Sequence, residues 1–346
     1  MTVRRALALS AAAVLALTMA ACGQDSGEEG EEPLSDDALV IYSGRNETLV
    51  GPLLTKLEDA TGIDVQVRYG GSSELAAQLL EEGDGTKADL FFSQDAGALG
   101  ALAKAGRLET LPAATTAKVQ EGFADAAGTW VATSARARVI AYDPAQAPEV
   151  TEMTTVDAVL DPRYKGKVGF APTNASFQSF VTALRVSKGE DGAKEWLEAF
   201  KANEPKAYDN NILVLDAVDS GQVALGLVNH YYWYERVAEK GADAVNAKIH
   251  FLDSDDPGAL INVAGAGVLA GSGQSDAANK AIDFLLSPEG QQYFADETAE
   301  YPVVAGVTST KHDLVPLDEL DGLAIDLNAL DSLEQTLALL DEVGLT

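Results

Sequence analysis

The sequence predicts an α/β protein folded as two lobes joined by β crossings, and three observations carry that expectation. From Leu39 onward, short apolar runs alternate with helical segments in quick succession, which is the signature of a parallel sheet with helices on its faces. A second set of the same kind follows later in the chain. Between and after the two sets lie β-like runs, "WVATSARARVIAYDP" and "GALINVAGAGVLAG", the first longer than a typical strand. Each reads as a crossing from one lobe to the other.

The elements follow in order. "LVIYS" is a strand, and "ETLVGPLLTKLEDATG" has helical spacing closed by Gly62. "IDVQVRYG" is a strand, "SSELAAQLLEEG" a helix opened by a Ser cap, and "ADLFFS" a strand. "DAGALGALAKAG" is a helix ended by Gly106. After the first crossing, "KVGFAP" is a strand, and "SFQSFVTALRVSKG" and "GAKEWLEAFKAN" are helices. "ILVLDAVDSGQ" is a helix, "VALGLVN" a strand, and "HYYWYERV" an aromatic helix. After the return crossing come the helices "DAANKAIDFLLS" and "PEGQQYFADET", the second opened by Pro288. The tail from Leu317 reads as acidic and helical. In such sheets ligands bind beyond the carboxyl ends of strands, and "IYSGRN", "LFFSQD" and "GLVNHYYW" are strands running into polar loops.

Composition narrows the function. The 346 residues are 47% hydrophobic and 23% charged, ample for a large buried core. A formal charge of -30 repels nucleic acid and anionic headgroups, so neither is an expected partner. Cys22 is the single cysteine, which excludes an internal disulfide and a Cys-rich metal cluster. It follows Arg4, Arg5 and an apolar run over 6–21 that reads as a secretory signal, too short for a comfortable membrane span. "TMAAC" resembles a bacterial lipobox, with Met19 where Leu is more usual, which implies that Cys22 is lipidated after cleavage. "GQDSGEEGEEPLSDDA" then has seven acids and almost no apolar residue. It reads as a flexible tether reaching roughly 20–25 Å. The expected location is extracytoplasmic, at the membrane surface and tied to it by lipid.

Signatures of catalysis are missing. There is no H-E-x-x-H, C-x-x-C, G-x-S-x-G or Walker lysine loop, and "GAGVLAGSG" lacks dinucleotide spacing, so an enzyme is not expected. His230, His250 and His312 are far apart and read as surface or structural residues. "VNHYYWYERV" is different, because Tyr231 and Tyr232 are adjacent phenols where a strand turns into a helix. A phenol has a pKa near ~10 and is a poor ligand until a strongly charged cation drives its proton off. Phenolate is a hard donor suited to ferric iron, whereas calcium and magnesium sites call for clustered carboxylates and carbonyls. An exogenous anion could complete the shell at a helix start such as "PTNASFQSFV". Spacing alone does not separate that role from an ordinary N-cap.

Taken together, "VNHYYW", "PTNASF", "DNNILVLDAVDSGQVALGLVN", "SARARVIAYDP" and "FLLSPEGQQYFADETAEYPV" resemble the bacterial ferric-ion-binding proteins of ABC importers. The likeness runs from Leu39 past Pro302. It implies a two-lobed, hinged, type II periplasmic-binding fold, similar to transferrin, that holds Fe³⁺ with a synergistic anion and delivers it to a membrane permease. Tyr231 and Tyr232 match the iron-binding pair. Asn174, Ala175 and Ser176 match the phosphate loop, and Asn211 and Asn229 the side chains completing it. Arg138 falls where carbonate-using members place an arginine, with Arg136 as the alternative.

This sequence departs from the family at Asn46, where many members have an iron-binding histidine, and at Gln94, where they have glutamate. Phe177 stands where some carry a third tyrosine. Asn46 and Gln94 are therefore the expected metal-side residues of the first lobe, with Glu47 and Asp95 as neighbouring substitutes. The expected partition is residues 1–21 signal, 22–38 lipidated tether, 39–138 with 261–312 the N-lobe, and 139–260 with 313–346 the C-lobe. The working unit is expected to be a monomer. A small anion or an organic cation on the same fold is the other reading.

Overall fold

A computed structural model describes residues 37–346, apart from residues 121, 254, 255, 321–324 and 326. The signal segment, Cys22 and nearly all of the tether lie outside the described residues. The chain runs through β1 (Leu39–Ser43), α1 (Glu47–Thr61), β2 (Val65–Tyr69), α2 (Ser72–Glu82), β3 (Leu90–Ser93), α3 (Ala96–Lys104) and the short α4 (Ala113–Thr116). The first crossing is β4 (Val131–Tyr142). Next come β5 (Val168–Phe170), α5 (Ala175–Ala202), β6 (Lys206–Ala207), α6 (Asn211–Asp219), β7 (Leu225–Asn229), α7 (Tyr231–Lys240) and β8 (Lys248–His250). The chain returns on β9 (Ile261–Val268), followed by α8 (Ser275–Leu285), α9 (Pro288–Glu297) and α10 (Leu333–Val343).

The strands join in the order β2-β1-β3-β9-β4-β7-β5-β6, with β8 beside β4. Pairing is parallel within each half, β1 with β2 and β3, and β5 with β7 and β6. It is antiparallel only where the crossing strands enter, β3 with β9, β9 with β4, and β4 with β7 and β8. Each half therefore has its own parallel sheet, and β4 and β9 carry the chain between them. One apolar cluster lies over β1, β3 and β9, with Leu53, Leu57, Phe92 and Leu99 fully buried. Others lie over β5 and β7, with Phe180 and Phe200 each packed at a tilt against Phe177. Fully burying each such side chain stabilises the fold by about 1.5–3 kcal/mol.

Local chemistry sets most element boundaries where the sequence reading put them. Gly62 caps α1 with φ of 69°, a left-handed conformation that favours glycine. Gly189, at φ 73° and ψ 171°, breaks α5 into the two helical segments that were expected separately. Three readings are corrected. Ser72 is not the cap of α2. It is the first helical residue after Gly71, and its hydroxyl instead accepts the backbone N–H of Gln94 at 2.8 Å. The strands β6 and β8 are too short to leave a periodic signal and were not foreseen. The tail is α-helical only over Leu333–Val343 among its described residues.

That tail touches both cores. Leu327 and Leu330 are buried in the first, and the Leu330 carbonyl lies where a Cβ on Gly97 would approach to 2.7 Å. Leu339, Leu340 and Val343 are buried in the second. Arg185 of α5 donates to the Ser332 carbonyl at 2.9 Å, and Thr182 and Thr336 share a hydroxyl bond of 2.7 Å.

Candidate functional site

The site is organised by β4. All twelve of its residues are buried, and it bears polar side chains at every second position, Ser134, Arg136 and Arg138. Alternate residues share one face of a strand, so these three line up while alanines occupy the other face. A register shift between Ala132 and Ser134 sets the phase of this row. Its first-lobe end is an ion cluster. Glu300 accepts from Arg45 at 2.8 Å and from Ser134 at 2.6 Å, with Arg136 at 4.0 Å, and all are essentially inaccessible. Burial pushes the Glu300 carboxyl up, yet Arg45 and Arg136 outweigh it and hold the group below its ordinary value.

The second-lobe end of the row is Arg138. It pairs across the sheet with Asn229, the last residue of β7, which puts both side chains on one face. Arg138 Nη1 donates to the Ser176 carbonyl at 3.1 Å, and Asn211 Nδ2 donates to Ser176 Oγ at 3.0 Å. Arg138 Nη2 and Asn229 Nδ2 are buried with no protein partner. Burial pushes the Arg138 guanidinium down to about 10, with Tyr232 and Tyr231 opposing. Asn174 caps α5, its Oδ1 accepting from Ser176 N at 3.0 Å and Ser176 Oγ at 2.7 Å. Asn174, Ala175, Ser176, Asn211, Asn229 and Arg138 thus come together at one helix start. Arg136 does not join them. Its Nη2 donates to the Val263 carbonyl at 3.3 Å, toward the ion cluster.

Immediately after Asn229 the chain turns into α7, which begins at Tyr231. The four aromatics then separate. Tyr231 and Tyr232 lie ring to ring with centroids 4.1 Å apart, whereas Trp233 Nε1 reaches away to the Ala247 carbonyl at 2.7 Å. Tyr231 is completely buried and its hydroxyl accepts from Gln94 Nε2 at 3.2 Å, a bond across the cleft. Burial raises the Tyr231 pKa well above its ordinary value, reinforced by Tyr232 and Glu300 and opposed by Arg136 and Arg45. Burial also raises Tyr232, with hydrogen bonds from Tyr231 and Asn211 working the other way. Without a cation both remain neutral phenols, and a strong positive charge is what would ionise them.

The first lobe meets this wall with side chains that are already engaged. Asn46 is exposed, and its Oδ1 accepts from Thr48 N at 2.9 Å and Thr48 Oγ1 at 2.6 Å as the cap of α1. Glu47 is exposed. Asp95 is buried as the cap of α3, its Oδ1 accepting from Ala98 N at 3.0 Å, while its Oδ2 has no partner. Gln94 alone of these four reaches a tyrosine, and Gly44 helps to place it. A Cβ at Gly44 would fall 1.9 Å from Ser72 Oγ, the atom that holds the Gln94 backbone. Ser73 Oγ donates to Gln178 Oε1 at 2.9 Å, a second bond across the cleft.

The histidines have structural places. His230 is fully buried, accepts from Ala137 N at 3.2 Å and stacks on Tyr301 at 4.5 Å. His250 and His312 bond the Met153 and Asp296 carbonyls. Among the described residues no cluster of His, Cys, Asp and Glu could hold a metal, and no helix is long and apolar enough to cross a membrane. A cavity of about 710 Å³ lined by Arg138, Thr154, Asp253 and Ile261 opens beside the crossings, and neither tyrosine lines it. The ion cluster of Arg45, Ser134, Arg136 and Glu300 was missed in the sequence. The alternation "SARAR" in an otherwise apolar run was its one visible signal.

Known proteins share this architecture. Residues 85–320 match the family model described as a bacterial extracellular solute-binding protein. The major ferric iron-binding protein of Neisseria meningitidis is 35% identical over 309 residues, 89% of this chain and 93% of that one. The Fe(3+)-binding periplasmic protein of Serratia marcescens is 35% identical over 312 residues, 90% of this chain and 91% of that one. The crystal structure of iron-bound HitA from Pseudomonas aeruginosa superposes with a TM-score of 0.83 at 35% identity, covering 89% of this chain and 99% of that one. The two-lobed type II arrangement expected from the sequence is the one found. By the matched model and by relatives spanning most of its length, the chain belongs to the bacterial extracellular solute-binding proteins.

Proposed function

We propose that this protein captures ferric iron outside the cytoplasm, between its two lobes, and hands it to the permease of an ABC importer. The observation that carries the reading is the tyrosine pair, 4.1 Å apart, set directly beside a helix start with two free buried donors. Tyr231 and Tyr232 lose their protons as two Fe–O bonds form, and Gln94 orients Tyr231 from the facing lobe. A synergistic anion, phosphate or carbonate, takes Arg138 Nη2 and Asn229 Nδ2 at the start of α5, with Asn174, Ala175, Ser176 and Asn211 around it. Buried polar atoms without partners are costly, and an anion there would satisfy both. Curated relatives named for ferric iron binding support the same cargo.

The finer parts of the reading are these. Residues 39–138 with 261–312 form the N-lobe and residues 139–260 with 313–346 the C-lobe, with Arg138 at the boundary turned to the C-lobe side and Leu327 and Leu330 of the tail packing back on the N-lobe core. Cys22 carries the lipid anchor, and the protein works as a monomer. An anion alone would fill the donors at α5 but leave the phenols without a role, so the iron reading accounts for more of the site. The test is a visible absorption titration with ferric salt plus phosphate or carbonate. A tyrosinate-to-iron band that vanishes in the Y231F/Y232F protein supports the reading, and absence of the band in the unaltered protein defeats it.

A further inference from the structure

We propose that Glu235 supplies a third anionic donor to the ion held by Tyr231 and Tyr232, from the same helix one turn beyond the pair. The inference rests on the ferric reading above. In α7, Glu235 is three residues past Tyr232 and four past Tyr231, the two spacings that make helix neighbours. Helical side chains lean toward the helix N-terminus, so Glu235 leans over the turn that bears both phenols.

Its surroundings agree. The Glu235 charge is felt by Tyr232, and also by Tyr293, whose hydroxyl donates to the Leu49 carbonyl in the first turn of α1. Glu235 thus stands within electrostatic reach of both the tyrosine pair and the first lobe. Its Oε1 is buried and has no hydrogen-bond partner. Burial, and then the nearby charge of Glu300, push its carboxyl up to about 8, while Arg45 pulls the other way. A buried carboxyl oxygen without a partner is costly, and an incoming cation would satisfy it.

The other buried or half-buried acids near the cleft each hold a protein partner through one oxygen, and Glu47 is exposed. Asp95 caps α3, Glu300 is bonded to Arg45 and Ser134, and Asp216 is paired with Arg236. Charge also balances. Two phenolates and one carboxylate neutralise a trivalent ion, which leaves Arg138 to offset the anion. The first lobe presents amides at 46 and 94, and this carboxylate comes from the helix of the tyrosines instead.

The experiment uses the full chain with ferric chloride and phosphate, comparing the unaltered protein with E235Q and E235A. Readouts are the wavelength of the tyrosinate-to-iron band, the iron EPR rhombicity, and affinity by citrate competition. Losing an anionic donor should weaken binding at least as much as losing an outer-shell partner, roughly 10–100-fold. It should also move the band to longer wavelength. Added acetate should restore the band in E235A, where it leaves room, and not in E235Q. Thermal melts of the iron-free variants check that both fold. An unmoved band overturns the proposal, whether affinity is kept or falls, because a fall alone reports only the lost charge. No band in the unaltered protein defeats the ferric reading itself, a distinguishable outcome.

Discussion

The two walls of the cleft are built on opposite principles. On the first-lobe wall, each of these side chains has a protein partner through at least one atom: Asn46 caps α1, Asp95 caps α3, and Arg45 is paired with Glu300, while Asp95 Oδ2 and Arg45 Nη1 are buried without one. On the second-lobe wall, Arg138 and Asn229 keep buried donors free, and two phenols lie side by side in neutral form. The first wall thus holds opposite charges that offset one another within the protein, whereas the second sets free donors beside two phenols and has no acid in its cradle. The difference teaches where recognition energy resides. A partnered group has little to gain from a ligand, whereas an unpartnered buried donor gains a whole hydrogen bond.

The sharpest way to break the comparison is at the phenols. Y231F/Y232F should abolish ferric binding, a loss beyond the roughly 10–100-fold typical of outer-shell changes, read by citrate competition. Retained binding would move the recognition energy to the other wall. Next comes the ion cluster. Removing one partner of a buried pair leaves the other charge stranded, so E300Q should lower stability by about 3–5 kcal/mol in a urea melt. The pH sign follows from the depressed Glu300 carboxyl. Its contribution is present above the ordinary glutamate pKa and is lost as pH falls through the lower folded value. E300Q should therefore flatten the acid limb of the stability profile, and an unchanged limb would show that the cluster is not a stability element.

Smaller effects refine the contrast. R138A should weaken iron binding about 10-fold or more when phosphate is present, and should remove the dependence of affinity on phosphate. An anion dependence that survives would shift the cradle elsewhere. S73A and Q178A remove a neutral bond across the cleft worth about 0.5–1.5 kcal/mol, so iron should dissociate faster by up to roughly tenfold in stopped-flow chelation. N46A should cost about 1 kcal/mol of stability through the lost cap and leave iron affinity nearly unchanged. A marked fall in affinity there would give the first wall a direct hand in binding.

Much of this was legible in the residues. Hydrophobic period and turn glycines gave the order of most elements, because those signals are local. "HYYW" after a strand gave the tyrosine pair, and "TNASF" gave the anion loop as one of two open readings. What stayed hidden was partnership. Whether Asn46 faces a metal or caps its own helix depends on one side-chain rotamer, and the sequence is equally consistent with both.

The chain by itself determined the parallel halves, the two crossing strands and the adjacency of Tyr231 and Tyr232, since each follows from spacing along the backbone. Only the tertiary structure decided that Arg138 stands opposite Asn229, that Arg136 turns instead toward Glu300, and that Gln94 meets Tyr231. Those contacts join residues between 91 and 164 positions apart, by subtraction of their numbers. Their pairing is set by strand register and by how the lobes meet, quantities that exist only once the sheet has formed.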